Sequence, residues 1–196
     1  ECLVGSEMCK ETDPHLVAEA IARAKRQGVS EELLSELDGF TGAVGIWDSG
    51  RPGPVTAFRF DIDCVQVGET SDPAHEANAG GYASERPNLM HACGHDGHLA
   101  VGLGVAQWIK DHADQLCGKI KLVFQPAEEG TRGARPMAES GILDDVDFIV
   151  CTHIGSSVPL HQVAVCTHGY LATTKLDIYF EGVPAHAGAN PEKGRS

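Results

Sequence analysis

Apolar side chains at Leu16, Val17, Ala20, Ile21 and Ala24 line one face of a helix. Asp13-Pro14 supplies the N-cap and first-turn residues that open it, and Gly28 ends it. Ser30 is placed to cap a shorter helix running to Leu37. The period then changes: Gly42 to Trp47 and Val55 to Phe60 read as strands, joined by a Gly- and Pro-rich turn over 48–54. Residues 64–90 are polar and irregular, and a loop of that length inside a compact unit is more often functional than idle. Gly97 to His112 is helical in spacing and apolar nearly all round, which predicts a buried helix. Lys119 to Phe124 reads as a strand broken by Pro126, and Gly130 to Ser140 as a short helix. Val146 to Cys151 reads as an apolar strand suited to the middle of a parallel sheet. Strands alternating with helices predict an α/β fold, a mostly parallel sheet flanked by helices.

The pattern changes again after about residue 160. Gln162 to Thr167 and Thr173 to Glu181 read as strands separated by a short turn, and the second alternates cleanly between apolar and polar positions. That suits an antiparallel sheet with one wet face. A boundary is therefore expected near Tyr170, with residues 1–170 in one domain and 171–196 opening a second, α+β domain.

Composition narrows the function classes. The 196 residues carry 15 basic and 28 acidic side chains, a net charge of −13. This argues against nucleic acid or an anionic membrane as partner. The longest uncharged stretch, Leu99 to Ile109, is far shorter than the ~20 residues a bilayer span needs. Seven cysteines form no Cys-x-x-Cys pair, which predicts reduced thiols in a cytoplasmic protein. Cys117, Cys151 and Cys166 read as small buried side chains; Cys93 alone sits among other ligand types.

The run Met90-His91-Ala92-Cys93-Gly94-His95-Asp96-Gly97-His98 concentrates imidazoles, a thiol and a carboxylate beside two glycines. Few structural demands ask for that mixture, but a metal site does. Three predicted strands also deliver polar groups at their carboxyl ends: Asp61 and Asp63 on one face, Glu128-Glu129 after Pro126, and His153 after Cys151. In open α/β sheets the ligand crevice lies beyond those ends, so the groups can converge there with the loop. Together they exceed what one tetrahedral ion needs, which points to two metals. A two-metal hydrolase polarises a carbonyl and acidifies a water, and it needs a base not committed to metal. Adjacent glutamates supply one, with nothing local to say which ligates and which takes the proton.

Each element alone has a plainer reading. Glu128-Glu129 would serve as a solvated helix start, and Asp61 and Asp63 as loop caps. His153 would be a hydrogen-bonded strand-end residue. His98, one turn after His95, reads as either a third ligand or a packed, hydrogen-bonded side chain. His91 reads as structural, and His15, His75, His112, His161 and His168 as surface or loop residues. Their joint occurrence at strand ends favours the metal site.

Arg59 to Asp63, Met90 to His98, Phe124 to Gly130 and Gly182-Val183-Pro184-Ala185-His186-Ala187 resemble, in this order, motifs of the metal-dependent amidohydrolases and peptidases related to aminoacylase and carboxypeptidase G. Thr131 to Ala134 and Ala172 to Lys175 resemble the aminobenzoyl-glutamate hydrolase branch in particular. The resemblance implies a di-metal enzyme, with Zn2+ or Mn2+, that hydrolyses the amide of an N-acyl or N-aroyl amino acid such as aminobenzoyl-glutamate. It implies Cys93 bridging two metals, with His95 and His153 completing one site and Glu129 binding the other. Glu128 would be the general base, and Asp61 and Asp63 would lie behind the ligands. His186 would belong to a small lid domain that dimerises, reaching a partner's site to stabilise the oxyanion. The family is roughly twice as long, so the chain is expected to be an internal fragment lacking most of the lid and a last metal-binding His. The competing expectation is a non-catalytic metal-binding or scaffolding chain that pairs with a complete subunit.

Overall fold

Apolar side chains alternate through three strands, β2 (Ala43–Asp48), β3 (Val55–Asp61) and β4 (Lys119–Gln125), and give their sheet two apolar faces. The computed structural model describes residues 2–3, 14–37, 42–130, 133–155, 158–165 and 191–194. It divides into two compact units, Glu1–Gly155 and Ser156–Ser196.

In the first unit, short strands β1 (Cys2–Leu3) and β5 (Phe148–Cys151) complete a sheet of order β1-β2-β4-β3-β5. β3 pairs in parallel with β4 and β5, while β2 pairs antiparallel with β4 and β1. The sheet is thus mostly parallel in strand direction, as expected, with β2 alone running against the other described strands. Val44, Ala57 and Val123 pack on one face against Met137 of helix α5 (Ala134–Glu139), with Ile142 and Leu143 beside them. Phe60 and Leu122 pack on the other against Ile109 of α4 (His95–Asp111), with Val105 and Phe124. Helices thus flank both faces, as the α/β reading expects.

Gly102 lets α4 lie close on the sheet, because a Cβ there would sit 2.6 Å from Phe124 and 2.9 Å from Phe60. The Arg51 guanidinium donates to the carbonyls of Asp114 (2.8 Å), Ala113 (3.0 Å) and Leu116, just beyond the C-terminal end of α4. A cation there also complements the helix dipole. This ties the β2–β3 turn to one end of α4 and leaves its N-terminus beside the carboxyl ends of β3, β4 and β5.

Both helices expected before β2 are present, while the Asp13 cap expected for the first lies outside the described residues. Helix α1 spans Pro14–Arg26, and Gly28 follows it at φ +92°. Helix α2 spans Glu31–Leu37, with Ser30 Oγ accepting the Leu33 N–H at 3.2 Å. The 64–90 loop carries a short helix, α3 (Glu76–Gly80), and is closed by a bridge between Val65 and Met90.

Some expectations change. Helix α4 buries one face only, through His95, His98, Gly102 and Ile109, while Leu99, Val101, Leu103 and Trp108 are exposed. Strand β5 begins at Phe148 rather than Val146, whose N–H turns back to the Leu143 carbonyl at 3.1 Å; between them Asp147 donates its N–H to the Val55 carbonyl at 2.9 Å and accepts the Val55 N–H on its carboxylate at 2.8 Å. It is the edge strand of the described sheet, and all its residues are exposed. Cys151 is exposed with it, and Cys117 is exposed in the turn before β4, so neither is the buried thiol expected. Residues 162–165 form no strand. The strand expected over 173–181, the boundary at Tyr170 and His186 lie outside the described residues. The described part of the second unit holds one 3-10 turn, Pro191–Lys193. No described helix is long and apolar enough to cross a membrane.

Candidate metal centre

Three parallel strand ends and one helix start deliver the candidate residues to one place. Asp61 ends β3, with Asp63 just beyond; Glu128 and Glu129 follow β4, and His153 follows β5. Gly94, at φ +85°, makes the left-handed turn that puts Cys93 before α4 and His95 at its first position. Ala127 is also left-handed, at φ +53°, a costly conformation without a glycine, and it turns the chain sharply before Glu128.

His95, His98 and His153 form one imidazole cluster, with centroids 4.5–5.8 Å apart. Two of the rings share an arrangement. His95 Nδ1 donates to the Asp63 carbonyl at 2.9 Å, and His153 Nδ1 donates to the Ile154 carbonyl at 2.8 Å. Each therefore carries a proton on Nδ1 and turns its Nε2 into the site. A ring held through one nitrogen by a backbone carbonyl is oriented to ligate through the other. His153 Nε2 lies 3.6 Å from Cys93 Sγ. His95 Nε2 is buried and has no hydrogen-bond partner among the described residues. It faces Asp61 Oδ2 and Glu129 Oε1 at 3.8 Å and Glu128 Oε2 at 4.0 Å. Those separations are too long for hydrogen bonds.

His98 is arranged differently. Its Nδ1 donates to Asp61 Oδ1, and its Nε2 accepts the Ile154 N–H at 2.8 Å. With both nitrogens engaged, His98 is the packed, hydrogen-bonded residue of the two readings and not a third ligand. Asp61 is fully buried, and Arg59 Nη1 donates to its Oδ2 at 2.6 Å while Arg59 Nε donates to Gln125 Oε1 at 2.8 Å. Burial pushes the Asp61 carboxyl up, but the His98 hydrogen bond and the Arg59 charge outweigh it and hold the carboxyl below its ordinary range. Asp63 Oδ2 accepts the Glu129 N–H at 3.0 Å, and Asp63 Oδ1 lies 3.2 Å from His95 Nδ1.

The charge balance calls for a cation. Desolvation, the hydrogen bond with Glu129 and the charges of Glu129, Glu128 and Asp61 push the Cys93 thiol up to about 11. An unpartnered imidazole nitrogen, a thiol and carboxylates converge, and among the described residues the one Lys or Arg beside them is Arg59, behind Asp61. Ligand atoms of Cys93, His95 and His153 lie within 4.8 Å of one another, as do those of His95, Glu128 and Glu129. The donor set fits divalent metal, with His95 the corner common to both groups.

All the proposed ligands, Cys93, His95, Glu129 and His153, are thus brought together with Glu128, Asp61 and Asp63; His186 is not described. Missed from the sequence were the Arg59–Gln125 support behind Asp61 and the part played by the Ile154 peptide. The spacing of Arg59 and Asp61 on one strand face was the available signal for the first.

A family profile matches residues 57–192, that of peptidase family M20/M25/M40. The chain belongs to this family. It is the family to which the sequence motifs point. A p-aminobenzoyl-glutamate hydrolase homolog of Haemophilus influenzae is 50% identical over 181 residues, 92% of this chain and 43% of that protein. An indole-3-acetyl-aspartic acid hydrolase of Enterobacter agglomerans is 51% identical over 185 residues, 94% of this chain and 42% of that protein. Among solved structures, a dinuclear metal-binding peptidase of the M20 family from Bacillus subtilis superposes with a TM-score of 0.55 at 29% identity, covering 74% of this chain and 38% of that one. This M20 chain spans less than half the length of the curated relatives it matches.

Proposed function

We propose that this chain is the metal-holding part of an amidohydrolase that cleaves N-acyl or N-aroyl amino acids, with aminobenzoyl-glutamate as the first substrate to test. The observation that carries the reading is the buried His95 Nε2, which has no hydrogen-bond partner among the described residues while its ring is held through Nδ1, and which faces carboxylates at non-bonding distance. The names of two relatives at about half identity supply the substrate class, since each describes an aromatic acyl group on an acidic amino acid.

Cys93, His95 and His153 would hold one divalent ion, and Cys93 with Glu129 would share a second, as Zn2+ or Mn2+. Bound there, the ions would supply Lewis acidity, polarising an amide carbonyl and acidifying a water. Glu128 takes a proton from the attacking water at its carboxylate and returns it to the leaving amine. The division between the glutamates has structural support: Glu129 is held through its N–H by Asp63, and its carboxylate acts on the Cys93 thiol more strongly than that of Glu128. Asp61 and Asp63 orient what stands in front of them. Oxyanion stabilisation by His186 across a dimer belongs to the same proposal, as does a lid domain beginning at 171. So does a cytoplasmic setting, which would keep Cys93 reduced as the described free cysteines are.

The test is elemental analysis of the purified chain joined to a hydrolysis assay on aminobenzoyl-glutamate. Two ions per chain with turnover support the enzyme. One ion without turnover favours a scaffolding partner of a complete enzyme chain, and no bound ion overturns both.

A further inference from the structure

We propose that His98 is a positioning residue for the metal ligand His153, acting through the peptide of Ile154. The inference rests on the metal-site reading above and adds a part for a residue outside the ligand set. His98 Nε2 holds the Ile154 N–H at 2.8 Å, and the carbonyl of the same residue holds His153 Nδ1 at 2.8 Å. The residue that fixes the His153 ring is therefore itself fixed by His98. His98 also packs edge-on to that ring, with centroids 4.5 Å apart.

The relay starts at a buried anion. Asp61 accepts from His98 Nδ1 through Oδ1 and from Arg59 through Oδ2, so His98 is locked with its proton on Nδ1 and its lone pair toward Ile154. The same locking by a carboxylate orients ring and tautomer elsewhere in protein chemistry. The Ile154 side chain is seated too: its Cδ1 would lie 3.6 Å from a Cβ on Gly94, and a Cβ on Gly97 would overlap it. Two glycines of the loop thus admit Ile154, and the strand end is gripped by backbone and side chain together. Strand β5 lies at the edge of the described sheet and is exposed along its length. Its neighbour β3 reaches it only through Arg59 opposite Cys151, so the relay anchors the stretch beyond that pairing.

An isosteric change tests the direction of the relay. In Asp61→Asn, Arg59 requires the amide oxygen on its own side, which turns the amide N–H2 toward His98 Nδ1. His98 must then carry its proton on Nε2, where it meets the Ile154 N–H donor to donor. Nitrogen NMR of the imidazole rings in the metal-free chain reads this directly. Nδ1–H is expected for His98 in the wild type and Nε2–H in Asp61→Asn. Co2+ titration is expected to show binding about 10- to 100-fold weaker in that variant, the usual cost of losing the partner that orients a ligand. His98→Gln, whose amide can both donate and accept, should stay within a few-fold of wild type, whereas His98→Leu, similar in size and without polar atoms, should not. Wild-type affinity in His98→Leu, or a reversed His98 tautomer with unchanged Co2+ affinity, would overturn the relay alone. Absence of Co2+ binding by the wild-type chain would overturn the metal reading and the relay's role with it.

Discussion

The Asp63 carboxylate accepts the Glu129 N–H at 3.0 Å, joining the end of one strand to the turn after its neighbour. The same residue's carbonyl accepts from His95 Nδ1 at 2.9 Å. One aspartate thus sets the backbone of one proposed ligand and the ring of another without occupying a ligand position. In Asp63→Ala the carbonyl remains, so His95 keeps its orientation, but the Glu129 N–H loses its acceptor. Metal affinity is expected to fall by about 10- to 100-fold. Equilibrium titration with Zn2+ against a competing chelator measures the loss, and unchanged affinity would show that Glu129 is set by other contacts.

Glu128 and Glu129 differ in what holds them, and the difference yields a second prediction. Glu128→Gln keeps the shape of the turn and every contact made by Glu129. Bound metal should match the wild type in elemental analysis. In the complete enzyme, turnover should fall by about 10^2- to 10^4-fold, the range that general-base catalysis contributes. Equal turnover in the variant would remove Glu128 from the mechanism.

The Cys93 thiol gives a pH dependence of definite sign. Desolvation, the hydrogen bond with Glu129 and nearby carboxylate charge raise it from 9.0 to about 11 in the absence of metal. The thiolate is the reactive form, so alkylation of Cys93 in the metal-free chain should stay slow at pH 9 and climb toward pH 11. Glu129→Gln removes the adjacent negative charge and should move the profile to lower pH. Because a ligating thiol must lose its proton, metal affinity should rise with pH over the same window. Peptide-level mass spectrometry separates Cys93 from Cys64, Cys117 and Cys151, which are also exposed and free. A Cys93 profile centred near 9 would contradict the surrounding charge.

How much of this was legible in the sequence follows from which forces are local. Ser30 as a cap and the period of β3 and β4 are set by residues close in the chain, and they read correctly. So did the convergence of Asp61, Glu128 and His153, because parallel strands all deliver their carboxyl ends to one edge. The apolar run ending at Cys151 shows what cannot be read. Its composition announces that cover is wanted but not what supplies it, and the strand stands exposed at the edge of the described sheet. Leu99, Leu103 and Trp108 misled in the same way, since an all-apolar helix surface does not say which side meets the sheet. His98 could not be decided from spacing, because its role depends on the Ile154 N–H, a backbone group that no side-chain pattern marks. The reversal of β2 was equally invisible, since alternation is the same in either direction.

Gly133 offers the sharpest test of the turn that carries the glutamates. Its N–H donates to the Ala127 carbonyl at 3.2 Å, closing the turn around Glu128 and Glu129. A Cβ at this position would overlap the Pro126 carbonyl oxygen, a backbone atom that cannot swing away as a side chain could. Ala127 is already left-handed at φ +53°, so the turn has little freedom to absorb a further shift. Gly133→Ala should therefore destabilise the chain by about 1–3 kcal/mol, as overpacking does, and weaken metal binding by opening the turn. Gly104→Ala is the control: it lies in α4 with nothing within 4 Å of a new Cβ. There alanine should stabilise by about 0.5–1 kcal/mol through helix propensity, with metal affinity unchanged. Thermal melts and Zn2+ titration of both variants decide the matter. Equal metal affinity in Gly133→Ala and Gly104→Ala would mean that the glutamates do not depend on this closure.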